Sequence, residues 1–358
     1  MTSTTTFTNE RRAEIEFSAT PGGYTKLWLV NMLLTLATLG IYGAWAKVRN
    51  NQYLYGHTRI EGHRLQYLAT PKQILMGRIL ALSVLLILVG VSMTHPMAAV
   101  GVYIALIVAA PWLIVQGLRF TYRNTAYRNV RFNFKGDYTG AFVNFILLPV
   151  LSAFTLFLAL PWVIKRIHQF MFGNCEFGGE RFNLNTSSGV YYKAAFLVFI
   201  LNTLLMIVIF AGAGSSVALL ASGSDQNQAE RASQIISGMI VPLIIAMYAV
   251  PYLVQAAFAA VIRNHVVNHL QADELARFHS EITVLGYMGV VTLNAIIILF
   301  TLGLAFPAAK VLKMRYLASK TTVFVTPRLD HMANTVDGKE SAFGEEAAGL
   351  FDSDLSIV

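Results

Sequence analysis

Charge is scarce in this chain: 13% of its 358 residues are Asp, Glu, Lys or Arg, about half of the roughly 25% that soluble domains carry. With 55% of residues hydrophobic, the deficit excludes an ordinary soluble domain. Cysteine is nearly absent as well. The single Cys175 rules out an intrachain disulfide and leaves the redox compartment open. No HExxH, GxSxG, P-loop or CxxC pattern occurs, so a membrane enzyme ranks last among the function classes and no cofactor is implied. The polar start, MTSTTTFTNERRAEIEF, has no apolar h-region or small-residue cleavage site. No cleaved signal peptide is therefore expected, and insertion falls to the first hydrophobic segment.

What is present is apolar length. Seven stretches stand out at about 26–46, 74–94, 97–117, 141–163, 192–220, 235–261 and 288–311, most of them near the 20 residues needed to cross a bilayer core. The net charge of +8 is unevenly spread. From Leu329 onward seven acids face the lone Lys339, a net of −6, which leaves +14 on residues 1–328. A basic body between apolar spans points to anionic membrane lipid as a partner and away from nucleic acid. The organisation expected is a polar segment with one strand over 1–23, a membrane domain over 24–326 and an acidic, disordered tail over 327–358.

The connections repeat one another. Trp45–Leu65 match Trp112–Phe132 at an offset of 67 and Trp162–Phe182 at an offset of 117, without gaps. YLYGHT (53–58) thus lies over FTYRNT (120–125) and FMFGNC (170–175). Each copy reaches a two-residue step, Glu61-Gly62, Arg128-Asn129 or Gly178-Gly179, whose second residue tolerates the positive φ of a type I′ turn. Alternating HRLQY, VRFNF and ERFNL follow as strands. A weaker fourth copy runs through Asn268, the Ala272-Asp273 turn and Phe278. The helices leading into these ends repeat too: Asn31, Thr38-Leu39-Gly40 and Lys47 recur at an offset of 263 as Asn294, Thr301-Leu302-Gly303 and Lys310. The middle copy keeps Asn144 and has Thr155-Leu156-Phe157. The fold class expected is an all-α polytopic membrane protein with internal repeats. It would have about seven hydrophobic segments, some re-entrant, joined by short β-hairpins at the membrane surface.

The stretch NMLLTLATLGIYGAWAKVRNNQYLYGHTRIEG resembles the signature of the YjgN-like bacterial inner-membrane proteins, a family of unknown function, and the likeness covers most of residues 14–326. The resemblance implies a multi-pass inner-membrane location. It brings no activity, ligand or site residue with it.

Two topologies compete. Seven plain crossings leave nine of the 27 Lys and Arg outside, against the tendency of basic residues to stay cytoplasmic. If segments one, four and seven each enter and leave on one side, only Arg231 is outside. The charge balance favours this second arrangement, with the C-terminal tail cytoplasmic and a helix break near Gly40. The other reading stays open: Gly40 merely eases packing of one tilted helix, and the two halves form an inverted repeat. Cys175 offers a probe, since impermeant maleimide should fail to reach it from outside if the third hairpin is cytoplasmic. The ends carry a further expectation. AEIEF (13–17) and TTVFV (321–325) read as half-hairpins that complete each other.

Asn31, Asn144, Asn294 and Asn202 lie within apolar segments, as do Gln255 and Arg78, one turn into the second. Such polar groups supply ligands to a solute or ion, or simply bond neighbouring helices. Trp45, Trp112 and Trp162, with Lys47, Arg49, Arg119, Lys165, Arg166 and Lys310, form an aromatic–basic rim suited to headgroup level. His265, His269 and Asp273, spaced i, i+4, i+8, are a weak metal candidate, and no metal site is expected. Repeats, broken helices and intramembrane amides favour a transporter or channel-like protein with a path between repeats. The alternative is a non-transporting scaffold or lipid-interacting protein with a basic cytoplasmic face.

Overall fold

The computed structural model describes residues 10–221, 228–272 and 274–332. Ten short strands alternate with helical hairpins in five units. The first unit is β1 (Arg11–Phe17), α1 (Pro21–Ala37), α2 (Gly43–Gly56) and β2 (Thr58–Ile60). The second is β3 (His63–Tyr67), α3 (Pro71–Thr94), α4 (Pro96–Arg123) and β4 (Thr125–Tyr127). The third begins with β5 (Val130–Phe134) and α5 (Tyr138–Phe142), runs through a π-helical turn (Val143–Leu147) into α6 (Leu148–Phe154), and returns by α7 (Leu160–Gly173) to β6 (Cys175–Phe177). The fourth is β7 (Glu180–Leu184), α8 (Ser188–Ala221), α9 (Gln228–Asn268) and β8 (Leu270–Ala272). The fifth is β9 (Ala276–Ser280), α10 (Val284–Phe300), α11 (Phe306–Ser319) and β10 (Thr321–Val325).

The strands close into one antiparallel barrel, and this corrects the all-α expectation. The hairpins foreseen in the sequence are not separate surface features. β3 pairs with β4, β5 with β6 and β7 with β8, joining each hairpin to the next. β1 and β10 pair over Arg11↔Val325 to Glu14↔Thr322, so the two half-hairpins do complete each other and shut the ring. A lone two-stranded hairpin is marginal in water, and a closed barrel leaves no edge exposed. Closure depends on pairing between distant segments, which leaves no mark in a local pattern.

Both central residues of these three turns have positive φ: Glu61 49° and Gly62 75°, Arg128 49° and Asn129 61°, Gly178 59° and Gly179 92°. These are the signs a type I′ turn needs. Strand alternation sorts the walls. Val130, Phe132 and Phe134 of β5 turn to apolar surroundings, and Arg131 and Lys135 are exposed. The lumen is filled by Tyr127, Phe132, Phe177, Phe182, Phe278 and their neighbours, with Phe132 and Phe177 rings 4.7 Å apart. An apolar void of about 70 Å³ remains.

All tight turns lie at one end of the barrel, and all five helical hairpins rise from the other. Four helices are long and apolar enough to cross a membrane, in α3, α4, α8 and α9. They form two pairs that leave and rejoin the same rim. The remaining three hairpins, α1–α2, α5/α6–α7 and α10–α11, are shorter and turn back through breaks at 38–42, 155–159 and 301–305. Segments one, four and seven are therefore helix–break–helix pairs, and the hairpins share one side of the helical layer.

The breaks are built alike. Thr38, Thr155 and Thr301 donate their hydroxyls to Leu34 O (2.8 Å), Ser152 O (2.8 Å) and Ile297 O (2.7 Å). The same hydroxyls accept from the amides of Tyr42 (2.9 Å), Ala159 (3.2 Å) and Ala305 (3.0 Å). Gly40, Phe157 and Gly303 each bond their amide back at 2.8 Å, to Thr35, Ser152 and Ile298. The turns thus satisfy backbone groups without water, as lipid demands. Their tips, Leu39, Leu156 and Leu302, are 95%, 85% and 93% exposed. Apolar tips with no protein cover belong in hydrocarbon.

The elaborate helix ends have a matching cause. His57 Nδ1 (2.7 Å), Asn124 Nδ2 (2.8 Å) and Asn174 Nδ2 (2.9 Å) each bond the carbonyl four residues back. Thr58 and Thr125 do the same with their hydroxyls. Last-turn carbonyls are thereby satisfied where helix gives way to strand.

Candidate functional site

Barrel closure sets the first and fifth units side by side. Arg315 Nη2 donates to Ala19 O at 2.8 Å across that junction. Where α1, α2 and α11 meet α3 there is a cavity of about 510 Å³. Its polar wall holds Lys47, Asn50 and Asn51 of α2, Arg78 of α3 and Lys310 of α11. Its apolar wall includes Trp28, Leu36 and Phe306. No Asp or Glu lines it, and none of the three cations has an ion pair or hydrogen bond among the described residues.

Local sequence explains each position. Lys47, Asn50 and Asn51 are spaced i, i+3, i+4 and so share a face of α2. Asn31, 1% exposed, donates from Nδ2 to Asn50 Oδ1 at 2.9 Å, fixing the Asn50 amide from behind. Arg78 reaches from α3 to α2. A Cβ at Gly43 would sit 2.5 Å from its Nη1, so the missing side chain leaves the guanidinium its place.

The cavity gathers only some of the sequence candidates. Asn31, Lys47, Arg78 and Lys310 come together. The repeat-related amides do not. Asn294 donates to Ala309 O at 2.9 Å, tying α10 to α11, and Asn144 bonds Gly140 O at 2.7 Å within its own helix. Asn202 bonds Val198 O at 3.1 Å beside an open apolar groove on α8. Gln255 is exposed on α9. The His265 and His269 rings lie 4.3 Å apart, tilted at 54°, but His265 Nε2 accepts from Ser187 N at 3.0 Å and Asp273 lies outside the described residues.

In the rim, Arg49 donates to Tyr42 OH at 2.8 Å, and Tyr42 stacks on Trp45. Arg119 lies over the Tyr138 ring at 5.5 Å. Lys165 donates to Ser188 Oγ at 3.0 Å, and Arg166, Trp112 and Trp162 are exposed.

Residues 12–350 match the family model described as bacterial protein of unknown function, DUF898. The chain belongs to that family. Among curated relatives, the inner membrane protein YjgN of Salmonella typhimurium is 32% identical over 149 residues, 40% of this chain and 36% of its own length. The YjgN protein of Escherichia coli O157:H7 is 30% identical over 138 residues, 38% of this chain and 35% of its own. The chain thus spans about a third of the relatives it matches. No solved structure matches it. With four apolar helices of spanning length, this DUF898 chain is a membrane protein, and the relatives named are inner-membrane proteins.

Asn50, Asn51, Tyr24 and Trp28 also line the cavity of this DUF898 protein, beyond the candidates that the sequence alone suggests. The Lys47/Asn50/Asn51 spacing was the available signal; their meeting with Lys310 required barrel closure. The proposed topology probe also fails. Cys175 is 4% exposed inside the barrel, and burial pushes its thiol up to about 12. Maleimide would spare it from either side.

The far end of the barrel carries a second polar constellation. Residues 327–332 form a helical turn there, with Leu329 and Met332 packed into the lumen core. Asp330 bonds Arg11 Nη2 and Arg128 Nη1, each at 2.5 Å. The Arg128 guanidinium, seconded by Arg11, holds its carboxyl below the usual carboxylate range. Arg328 pairs with Glu180 at 2.5 Å and with Glu274. Chemically this is a lid of ion pairs over a dry lumen.

Proposed function

We propose that this is a non-conducting, lipid-interacting membrane protein that anchors a closed β-barrel against the cytoplasmic face of the inner membrane. The observation that carries the reading is the barrel itself. Its lumen is apolar and packed, with about 70 Å³ left empty and a cap at the far end. A water-filled route through it would need a polar lining. The amides on which a path between repeats depended sit in separate hairpins and bond helical partners. Cytoplasmic placement follows from charge. With every helical pair returning to one rim, 25 of the 26 Lys and Arg among the described residues fall on the barrel side and Arg231 on the other, the bias that sets membrane orientation. Anionic lipid is the partner this basic face fits.

The test uses purified full-length protein in nanodiscs and proteoliposomes. Stabilisation by anionic lipid is expected, with no thermal shift from a panel of ions, sugars, amino acids and nucleotides. Protein-dependent flux of any of these solutes would overturn the reading in favour of transport.

A further inference from the structure

We propose that the cavity where the first and fifth units adjoin binds a phosphate group, and that its occupant is the headgroup of an anionic phospholipid. This deepens the lipid-interacting reading and rests on it. Three cations from three helices, Lys47, Arg78 and Lys310, line one cavity that no carboxylate enters. Lys47 and Arg78 are exposed at the cavity and Lys310 is half-buried, so an anion can reach all three, and cations gathered without a carboxylate repel one another until one does. The ion pairs among the described residues gather on the barrel and its cap, at Arg11, Arg128, Lys135, Arg277 and Arg328, and none reaches this cavity.

The surroundings are arranged for that anion. Asn31 fixes the Oδ1 of Asn50, which leaves the Asn50 Nδ2 free to donate. Gly43 gives Arg78 the room to turn from α3 toward α2. Depth fits as well. Arg78 lies seven residues beyond Pro71, where α3 leaves the barrel rim, a rise of roughly 10 Å. That is the zone of headgroups and upper acyl chains when the barrel abuts the bilayer. A soluble phosphate would need only the cations and amides. Here the cavity also runs along Trp28, Met32, Leu36 and Phe306 toward the apolar hairpin tips, a wall suited to an acyl chain. Mixed polarity in one cleft is the signature of a lipid ligand.

The experiment compares thermal stability and native-mass-spectrometry lipid retention in phosphatidylcholine nanodiscs with and without phosphatidylglycerol. Parallel samples receive millimolar inorganic phosphate or glycerol 3-phosphate. Wild type should retain phosphatidylglycerol and unfold several degrees higher with it. The Lys47→Gln/Lys310→Gln variant should lose at least fivefold in retention and most of the shift, whereas Arg166→Gln, on the rim elsewhere, should match wild type. Lys47→Arg/Lys310→Arg should restore retention, which separates loss of charge from loss of fold. Equal retention by the Gln variant and wild type would overturn the site but leave the lipid-interacting reading intact. A shift from glycerol 3-phosphate with none from phosphatidylglycerol would overturn both.

Discussion

Lys47 and Lys310 stand 263 positions apart in sequence, at equivalent places in the first and last repeats, and line the same cavity. They meet because β1 pairs with β10. In an open array of five units the two lysines would lie at opposite ends. Pairing of the terminal strands therefore creates the site as well as closing the sheet, and stability and binding are linked through one junction.

Gly43 tests how the cavity holds its third cation. A Cβ there would sit 2.5 Å from Arg78 Nη1 and 3.4 Å from the Thr35 methyl, and a guanidinium tip can swing aside at little cost. Gly43→Val should therefore fold with a melting temperature close to wild type, yet show weakened stabilisation by phosphatidylglycerol. Thermal scans in zwitterionic and anionic nanodiscs separate these two effects. A large loss of stability in zwitterionic discs would mean that Gly43 serves helix packing instead.

The cap over the barrel predicts a pH response with a definite sign. Asp330 has its carboxyl depressed in the folded state by Arg128 and Arg11. Its contribution is present above the unfolded carboxylate value of about 3.9 and fades as pH falls through the lower folded value. Protection factors at residues 326–332, taken relative to the slower intrinsic exchange in acid, should fall below about pH 4. Asp330→Asn should show low protection already at pH 7 and lose that acid dependence. An unchanged exchange profile in the variant would assign the cap's hold to Leu329 and Met332 alone.

Much of this architecture is legible in the chain, and the illegible part has one cause. Turn positions at Glu61-Gly62, Arg128-Asn129 and Gly178-Gly179 follow from residues that tolerate positive φ. The re-entrant breaks follow from the repeated Thr-Leu-Gly, and the pairing of 13–17 with 321–325 from unmatched strand patterns. The all-α expectation failed because barrel closure rests on contacts such as Leu65↔Tyr127 and Phe132↔Phe177, each between different hairpins. Site residues divide in the same way. Lys47 with Asn50 and Asn51 can be found on one helical face, but neither Arg78 beside Gly43 nor the distance of Asn144 and Asn294 from the cavity has a local signal.

The lumen should be the most demanding part of the fold. Phe177 is buried among Tyr127, Phe132 and Cys175. Phe177→Ala should destabilise the protein by about 3–5 kcal/mol, the range for large-to-small core changes. Loss of monodisperse protein, or a sharp drop in melting temperature, is the readout. Arg131→Ala, on the outer wall of the neighbouring strand β5, should behave as wild type.

Orientation can be read with cysteines placed where Cys175 cannot serve. In a Cys175→Ala background, His63→Cys, Arg131→Cys and Arg181→Cys put thiols on the exposed ends of three successive hairpins. These strands belong to one barrel, so they must share a compartment whatever that compartment is. With a cytoplasmic barrel, impermeant maleimide should label none of them in intact cells and all of them in inside-out vesicles. A mixed pattern would contradict the barrel, because no closed ring of ten strands can straddle the bilayer with its hairpins divided. Uniform labelling of intact cells would keep the barrel and reverse its side, placing the basic face opposite to where its 25 described lysines and arginines predict.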